Sequence, residues 1–537
     1  MLRKISRRAF LRSAGVGALA LSLSGPYILG QQTFRIGMAN PLATFFGKAA
    51  QKAALLAIDE INKAGGIMGR GLQVVVADSA GRPDQALRAV QQLVLSQRAD
   101  VLTGFFFSEE LLGAMPVFPT LGKIFLGTGA ASAAATLPSS TPPTFSPAQK
   151  FFFRVGPTNS FFLVDGTTTF FKTFMEDVVG WKSIVIFAEN ASWTSFFTQD
   201  NPALPGAFRG PGANVKALLA SKGSKLKVVD VIAFDEATTD FTPLYQRAIS
   251  KVPTEELRNK QAGFFTVLAH TGVRPVSQWK QQQVPLPMVG INSQAPDQRF
   301  DRLTGGAAES VATLSSGARA RITDKTIPFF DNFGQFTAFE PEITIPSYNA
   351  FYTYDAIYLL KDAIERAGVL PDSPANTDKV IEALEKSNFV GTTGPIRFYQ
   401  KDEIVEILGL KVLIPHDVKF AQVLGEPFKL DAGASKERVL PASDELDIIN
   451  DGPGPVEYEV AGQQGTVEAG KTVTVKGVRS PQQLTIKAGA GGAAGFLVFR
   501  TTPAQVGVWV QWQGGQLEVI FPKEIATAQF VLPPWMR

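Results

Sequence analysis

The chain contains no cysteine. That excludes disulfides, thiolate metal sites, a cysteine nucleophile and a lipidated N-terminal Cys. Histidine is almost as scarce, with only His270 and His416 in 537 residues, so a His-rich metal centre is excluded as well. A serine hydrolase would need a Gly-x-Ser-x-Gly elbow and a suitably placed histidine, and the sequence offers neither. No enzyme chemistry and no cofactor are expected. Long unbroken apolar runs are also few. Apolar residues make up 45% and charged residues 19%, which is a globular composition rather than a disordered or multi-span membrane one. At this length one hydrophobic core does not suffice, and two or three domains are expected.

The net charge of +4 misleads until it is divided along the chain. Arg3, Lys4, Arg7, Arg8 and Arg12 stand in the first thirty residues without an acid, leaving 47 basic against 48 acidic residues in the rest. A nucleic-acid partner loses its support. The same thirty residues read as a basic stretch followed by a small-residue apolar run from Ala14 to about Leu23, the layout of an export signal. Ser6-Arg7-Arg8-Ala9-Phe10-Leu11-Arg12 resembles the twin-arginine motif, which is read by a translocase for folded proteins. Cleavage after Ser22-Leu23-Ser24, a cut nearer Gly30, and an uncleaved anchor helix all remain open. The expectation is a bacterial or archaeal protein exported to the periplasm or beyond.

From Phe34 onward short apolar runs alternate with amphipathic helices. Arg35–Met38 reads as a strand. A helix from about Gly47 follows, with Ala50, Ala53, Ala54, Ala57, Ile58 and Ile61 on one face. Gly65-Gly66 should end it. Further strands are expected at 72–77, 101–103 and 124–126, and helix residues Leu87, Val90 and Val94 share one side after Pro83. A loop rich in Ala, Ser, Thr and Pro covers 133–149. A second alternating block carries strands at 184–187, 228–232, 264–268 and 288–291, and a long helix runs from about Asn349 to Ala367. Such alternation predicts two doubly wound parallel-sheet lobes. Residues 406–505 differ: Pro, Gly and short β-like runs predict a separate all-β module, within which Val456, Tyr458 and Val460 alternate with acids. Gly66-Ile67-Met68-Gly69-Arg70-Gly71 has the look of a dinucleotide glycine pattern, but it follows a helix and precedes a strand, the reverse of what a pyrophosphate needs.

Several words occur in an order that resembles the leucine/isoleucine/valine-binding family of type I periplasmic binding proteins. They are Ala57-Ile58-Asp59-Glu60-Ile61-Asn62-Lys63-Ala64-Gly65-Gly66-Ile67-Met68-Gly69-Arg70, Asp84-Gln85-Ala86, Thr239-Asp240-Phe241-Thr242-Pro243, Tyr354-Asp355-Ala356-Ile357-Tyr358 and Gly391-Thr392-Thr393-Gly394-Pro395. Val510-Gln511-Trp512 through Phe521-Pro522-Lys523-Glu524 is similar to that family's last hairpin. The resemblance implies an α/β fold of two lobes joined by three crossovers, which closes on a small ligand and delivers it to an ABC permease. It also implies a monomer without catalytic activity. On this chain, lobe 1 would be 33–156 with 319–405, and lobe 2 would be 157–318 with 506–525. The β module would be an insertion ahead of the last hairpin. A sensory role, presenting the same ligand to a membrane receptor, is the alternative.

The resemblance also implies a pocket. A ligand carboxylate or carbonyl would be held by Ser108 and by the turn containing Ala130 and Ser132. Ser108 equally fits as the N-cap of a helix over 109–115. Phe46 and Trp193 would form pocket walls, and His270 would stand where the family often places an aromatic contact. Asn292 occupies the position at which relatives that bind an α-ammonium carry an acid. Its amide supplies no charge, which weakens the amino-acid assignment. Glu109 and Glu110, in the first turn of their helix, are expected to face solvent and favour the helix dipole.

Overall fold

The computed structural model describes residues 33–137 and 146–537, apart from residues 157, 203, 316, 321, 324, 341, 408–409, 419–424, 441–444, 477, 479–481 and 501–506. The export signal expected over residues 1–30 lies outside the described residues.

Lobe 1 is built on five parallel strands, β1 (Phe34–Asn40), β2 (Leu72–Asp78), β3 (Val101–Gly104), β4 (Phe125–Gly127) and β5 (Phe152–Arg154), in the order β2-β1-β3-β4-β5. The helix after β1, α1 (Phe45–Lys63), begins two residues earlier than its apolar periodicity indicates, because the Thr44 side chain accepts from Gly47 N at 3.1 Å and caps it. Its alanine face lets the backbone lie close to the helix Tyr348–Ala367, whose Ile357, Leu360 and Ile364 complete the core with Ile58 and Ile61. Gly65 and Gly66, both at positive φ, end α1, and Gly66 N returns to Ile61 O at 2.9 Å.

From β5 the chain crosses into lobe 2 through Thr158 and Asn159, the latter capping the helix Ser160–Phe170. Lobe 2 holds β6 (Ser183–Glu189), β7 (Lys227–Phe234), β8 (Ala262–Leu268), β9 (Met288–Asn292) and β10 (Ala312–Ser315). The sheet order is β10-β9-β8-β6-β7, and the strands of the block are parallel. β6 and β8 are buried along their whole length, as the centre of a sheet covered on both faces requires. The hairpin Val508–Gln513/Gln516–Phe521 adds to β10 antiparallel and completes this sheet. The strand Ala312–Ser315 is not among those expected from the sequence, and it matters for the site.

The β-rich region is a sandwich of two four-stranded antiparallel sheets between Gly425 and Arg500. Val456 and Val460 point into its core with Leu446, Ile448, Leu484 and Leu497, while Glu457 and Glu459 are exposed. Residues 404–418 stand apart from the sandwich. They form the hairpin Ile404–Ile407/Leu410–Leu413 and a return segment that bridges lobe 1 at Arg154 and Phe398. Arg397 Nη2 donates to Thr472 Oγ1 at 2.8 Å and Val390 packs on Ile449, which seats the sandwich on lobe 1. The expected surface loop at 133–149 is buried at both ends, since Ala133, Ala135, Thr136 and Gln149 are all covered. The reason is polar: Gln149 Nε2 donates to Thr136 O at 2.5 Å, and Thr136 Oγ1 donates to Asp417 Oδ2 at 2.7 Å.

Candidate functional site

The carboxyl ends of both sheets face one another, the place where an open α/β sheet presents loops and helix N-termini to a ligand. Between them lie about 620 Å3 of empty space, part of it open to solvent. Phe106, Phe107 and Ser108 reach it from the loop after β3, Gly129 and Ala131 from the turn after β4, and Thr158 from the crossover. Lobe 2 adds Leu163, Trp193, Ala269, Ile291, Ser293, Leu314 and Ser315. Tyr348 closes the wall, donating its hydroxyl to Gly129 O at 3.1 Å. Its burial holds the phenol well above its ordinary pKa. No carboxylate, guanidinium, ammonium or imidazole is among these lining groups.

Ser108 is the first residue of the helix Ser108–Ala114 rather than its cap, and Phe107 occupies the cap position. The Ser108 hydroxyl oxygen instead accepts Ala131 N at 3.1 Å and Ser132 N at 2.9 Å. With its oxygen engaged twice, the hydroxyl keeps its hydrogen to donate. The helix is capped by Glu110, whose carboxylate accepts Phe107 N and Gly81 N, each at 3.0 Å. Glu110 is therefore fully buried, contrary to the expectation that it faces solvent. Burial, only partly offset by these bonds, pushes its carboxyl up to about 7. Glu109 also turns away from solvent. It spans the cleft and accepts Ser192 N of lobe 2 at 2.9 Å, while its second oxygen is buried without a hydrogen-bond partner.

The other sequence-derived positions divide into three groups. Trp193 lines the inner cavity with Ser108. Its indole Nε1 donates to Glu189 Oε1 at 3.4 Å. Phe46 and His270 line a second, outer space with Thr44, Gln294, Asp297 and Arg299. Ala130, Ser132 and Asn292 line neither space, although their neighbours Gly129, Ala131, Ile291 and Ser293 do. Ala130 O and Ser132 O both accept from the Arg154 guanidinium, and Ser132 Oγ accepts Ala134 N at 3.3 Å. Asn292 is turned aside: Nδ2 donates to Gly272 O at 3.1 Å, and Oδ1 accepts Gln294 N at 3.1 Å.

Two buried carboxylates support this arrangement. Glu189 accepts His270 N and Nδ1 and Thr271 N and Oγ1, all within 3.1 Å. Burial alone would raise the pKa of Glu189, but those donors and the imidazolium hold it below the usual range. For His270, burial acts downward and is outweighed by the bond to Glu189 and by the charges of Glu189, Glu236 and Glu109, so its pKa is raised. Asp417 accepts Arg154 Nε at 2.5 Å, Thr136 Oγ1 at 2.7 Å and Asn159 Nδ2 at 2.6 Å, with no exposure to solvent. It thereby ties the turn over 130–132 to the crossover into lobe 2.

Two α/β lobes with a largely apolar chamber at their facing strand ends have the concave, mostly apolar form of a small-molecule binding site. The sequence pattern of the periplasmic binding protein family matches residues 33–425. The chain belongs to that family. It is similar to the leucine-, isoleucine-, valine-, threonine- and alanine-binding protein of Pseudomonas aeruginosa, with 25% identity over 72% of this chain and 91% of that one. In fold it is similar to a solute-binding protein of an ABC transporter from Rhodopseudomonas palustris in complex with 3,4-dihydroxybenzoic acid. That match has a TM-score of 0.52 and 18% identity over 71% of this chain and 96% of that one. A putative branched-chain amino acid ABC transporter from Silicibacter pomeroyi matches 94% of this chain and 100% of its own, with a TM-score of 0.58 and 14% identity. The family implies an extracytoplasmic location, and no helix among the described residues is long and apolar enough to cross a membrane.

Proposed function

We propose that the protein captures a small, largely apolar ligand bearing a carboxylate or amide and no free amine, by closure of the two lobes, and delivers it to an ABC permease. The observation that carries this reading is that no acid is among the described residues lining the inner cavity, together with the turned-aside Asn292. An ammonium desolvated there without a counter-charge would cost several kcal/mol. A carboxylate, by contrast, finds residues with hydroxyl donors at Ser108, Thr158 and Ser293 among the lining groups. Phe106, Phe107, Trp193 and Tyr348 suit an aromatic or branched apolar body, in keeping with the dihydroxybenzoate complex of the Rhodopseudomonas protein.

A second reading rests on Glu109. Its unpartnered buried oxygen lies beside Ser108 in sequence and next to the Trp193 loop in space, and it would suit the ammonium of an amino acid. Competition calorimetry with leucine, its deaminated analogue 4-methylpentanoate, and benzoate separates the two. Tighter binding of the carboxylates, little changed by Glu109→Gln, supports the first reading. Tighter binding of leucine, lost in Glu109→Gln, establishes the second.

A further inference from the structure

Four aromatic rings stand in a row across the cleft. Phe46 stacks on Phe106 with centroids 3.7 Å apart, Phe106 meets Phe107 edge-on at 4.9 Å, and Phe107 stacks on His270 at 4.1 Å. The first three belong to lobe 1 and the fourth to lobe 2. Phe46 and His270 face the outer space, Phe106 faces the inner cavity, and Phe107 borders both. The row is therefore a wall between two chambers, and it is complete only when the lobes are together.

We infer that Phe107 is the specificity-determining residue that sets the length of ligand the protein accepts, its ring closing the inner cavity against the outer chamber. Phe107 holds this place firmly. Its backbone N–H is bonded to Glu110, and its ring rests on an imidazole fixed by Glu189. Behind it, the outer chamber is lined by Phe46, Val273 and Leu303 as apolar surface and by Gln294 and the Asp297–Arg299 pair as polar groups, so a chain that passed the wall would find apolar surface to rest on. A ligand short enough to end at the Phe107 ring leaves the stack intact. A longer one has to break the Phe107–His270 stack and hold the lobes apart.

The inference rests on the reading of the inner cavity as the ligand site, and the test separates the two. Straight-chain carboxylates from butyrate to dodecanoate and 4-alkylbenzoates of rising length are titrated by calorimetry against the native protein, Phe107→Ala and Phe107→Tyr, with thermal unfolding as a check of the fold. Phe107→Val takes the place of the alanine variant if that one does not fold. The native protein and Phe107→Tyr should lose affinity sharply beyond one length. Phe107→Ala should bind members several carbons longer at least tenfold more tightly than the native protein does. The same length limit in a folded Phe107→Ala or Phe107→Val, or an equal shift in Phe107→Tyr, overturns the inference while short members still bind. Failure of all members to bind the native protein overturns the site reading and the inference with it.

Discussion

Arg154 and Asp417 illustrate how little of this site is made by residues that touch the cavity. A guanidinium buried to 1% exposure is tolerable only because a carboxylate and two carbonyls surround it. Asp417→Ala removes the counter-charge and leaves Arg154 buried and unpaired. It should cost about 3–5 kcal/mol in denaturant unfolding. A loss under about 1 kcal/mol would mean that water or another group replaces the carboxylate. Ser108 acts at the same scale. Ser108→Ala strands the Ala131 and Ser132 N–H groups, so it should lower stability by about 1–3 kcal/mol and ligand affinity by roughly tenfold. Unchanged affinity in a destabilised variant would reduce Ser108 to a brace for the turn.

At the scale of elements, most of the cavity wall is made by the exits of strands, with Leu163 and Tyr348 added from helices, and the exit of β3 needs special backbone. Gly104 ends β3 at φ +128°, and a Cβ there would meet Ala39 O at 2.1 Å. Phe105 N then bonds Ala39 O at 2.8 Å, which directs Phe106 to Ser108 into the cleft. Gly104→Ala must push β1 away or change the turn. We expect a loss of about 1–3 kcal/mol in stability together with weaker ligand binding. An alanine variant with native affinity would show that the exit loop keeps its course without the glycine.

For the molecule as a whole, buried acids set a pH dependence. Burial pushes Glu110 from 4.5 up to about 7 and Asp355 from 3.8 up to about 6. A raised carboxyl pKa means that the folded chain holds a proton the unfolded chain has released. The stability from these two groups is full below about pH 4 and is lost as pH rises through 6 and 7. His270, also raised, acts in the same direction, whereas the depressed Glu189 contributes above its unfolded pKa and loses its contribution as pH falls through the folded one. A tenfold change in proton affinity is worth about 1.4 kcal/mol, so the rise of the Glu110 carboxyl accounts for roughly 3 kcal/mol between these limits. Urea unfolding should show lower stability at pH 8 than at pH 5, and Glu110→Gln should flatten that slope. Equal or greater stability at pH 8 would contradict the protonated Glu110.

The two lobes, the all-β module and the family were legible in the chain itself because they rest on local signals. Apolar runs of strand length, the alanine stripe of α1 and the Gly65-Gly66 stop each depend on residues within a few positions of one another. The order of the family's words along the chain required no geometry. Orientation at the strand ends was not legible. Successive residues of a turn point to different sides, so Gly129 and Ala131 reach the cavity where Ala130 and Ser132 do not, and Asn292 turns aside between Ile291 and Ser293. Tertiary structure alone decided that Glu110 is buried as a cap and that Glu109 crosses to the other lobe. It also decided that Asp417 meets Arg154 from 263 residues away. Each of these follows from which distant segment supplies the donor, and no periodicity within one element carries that information.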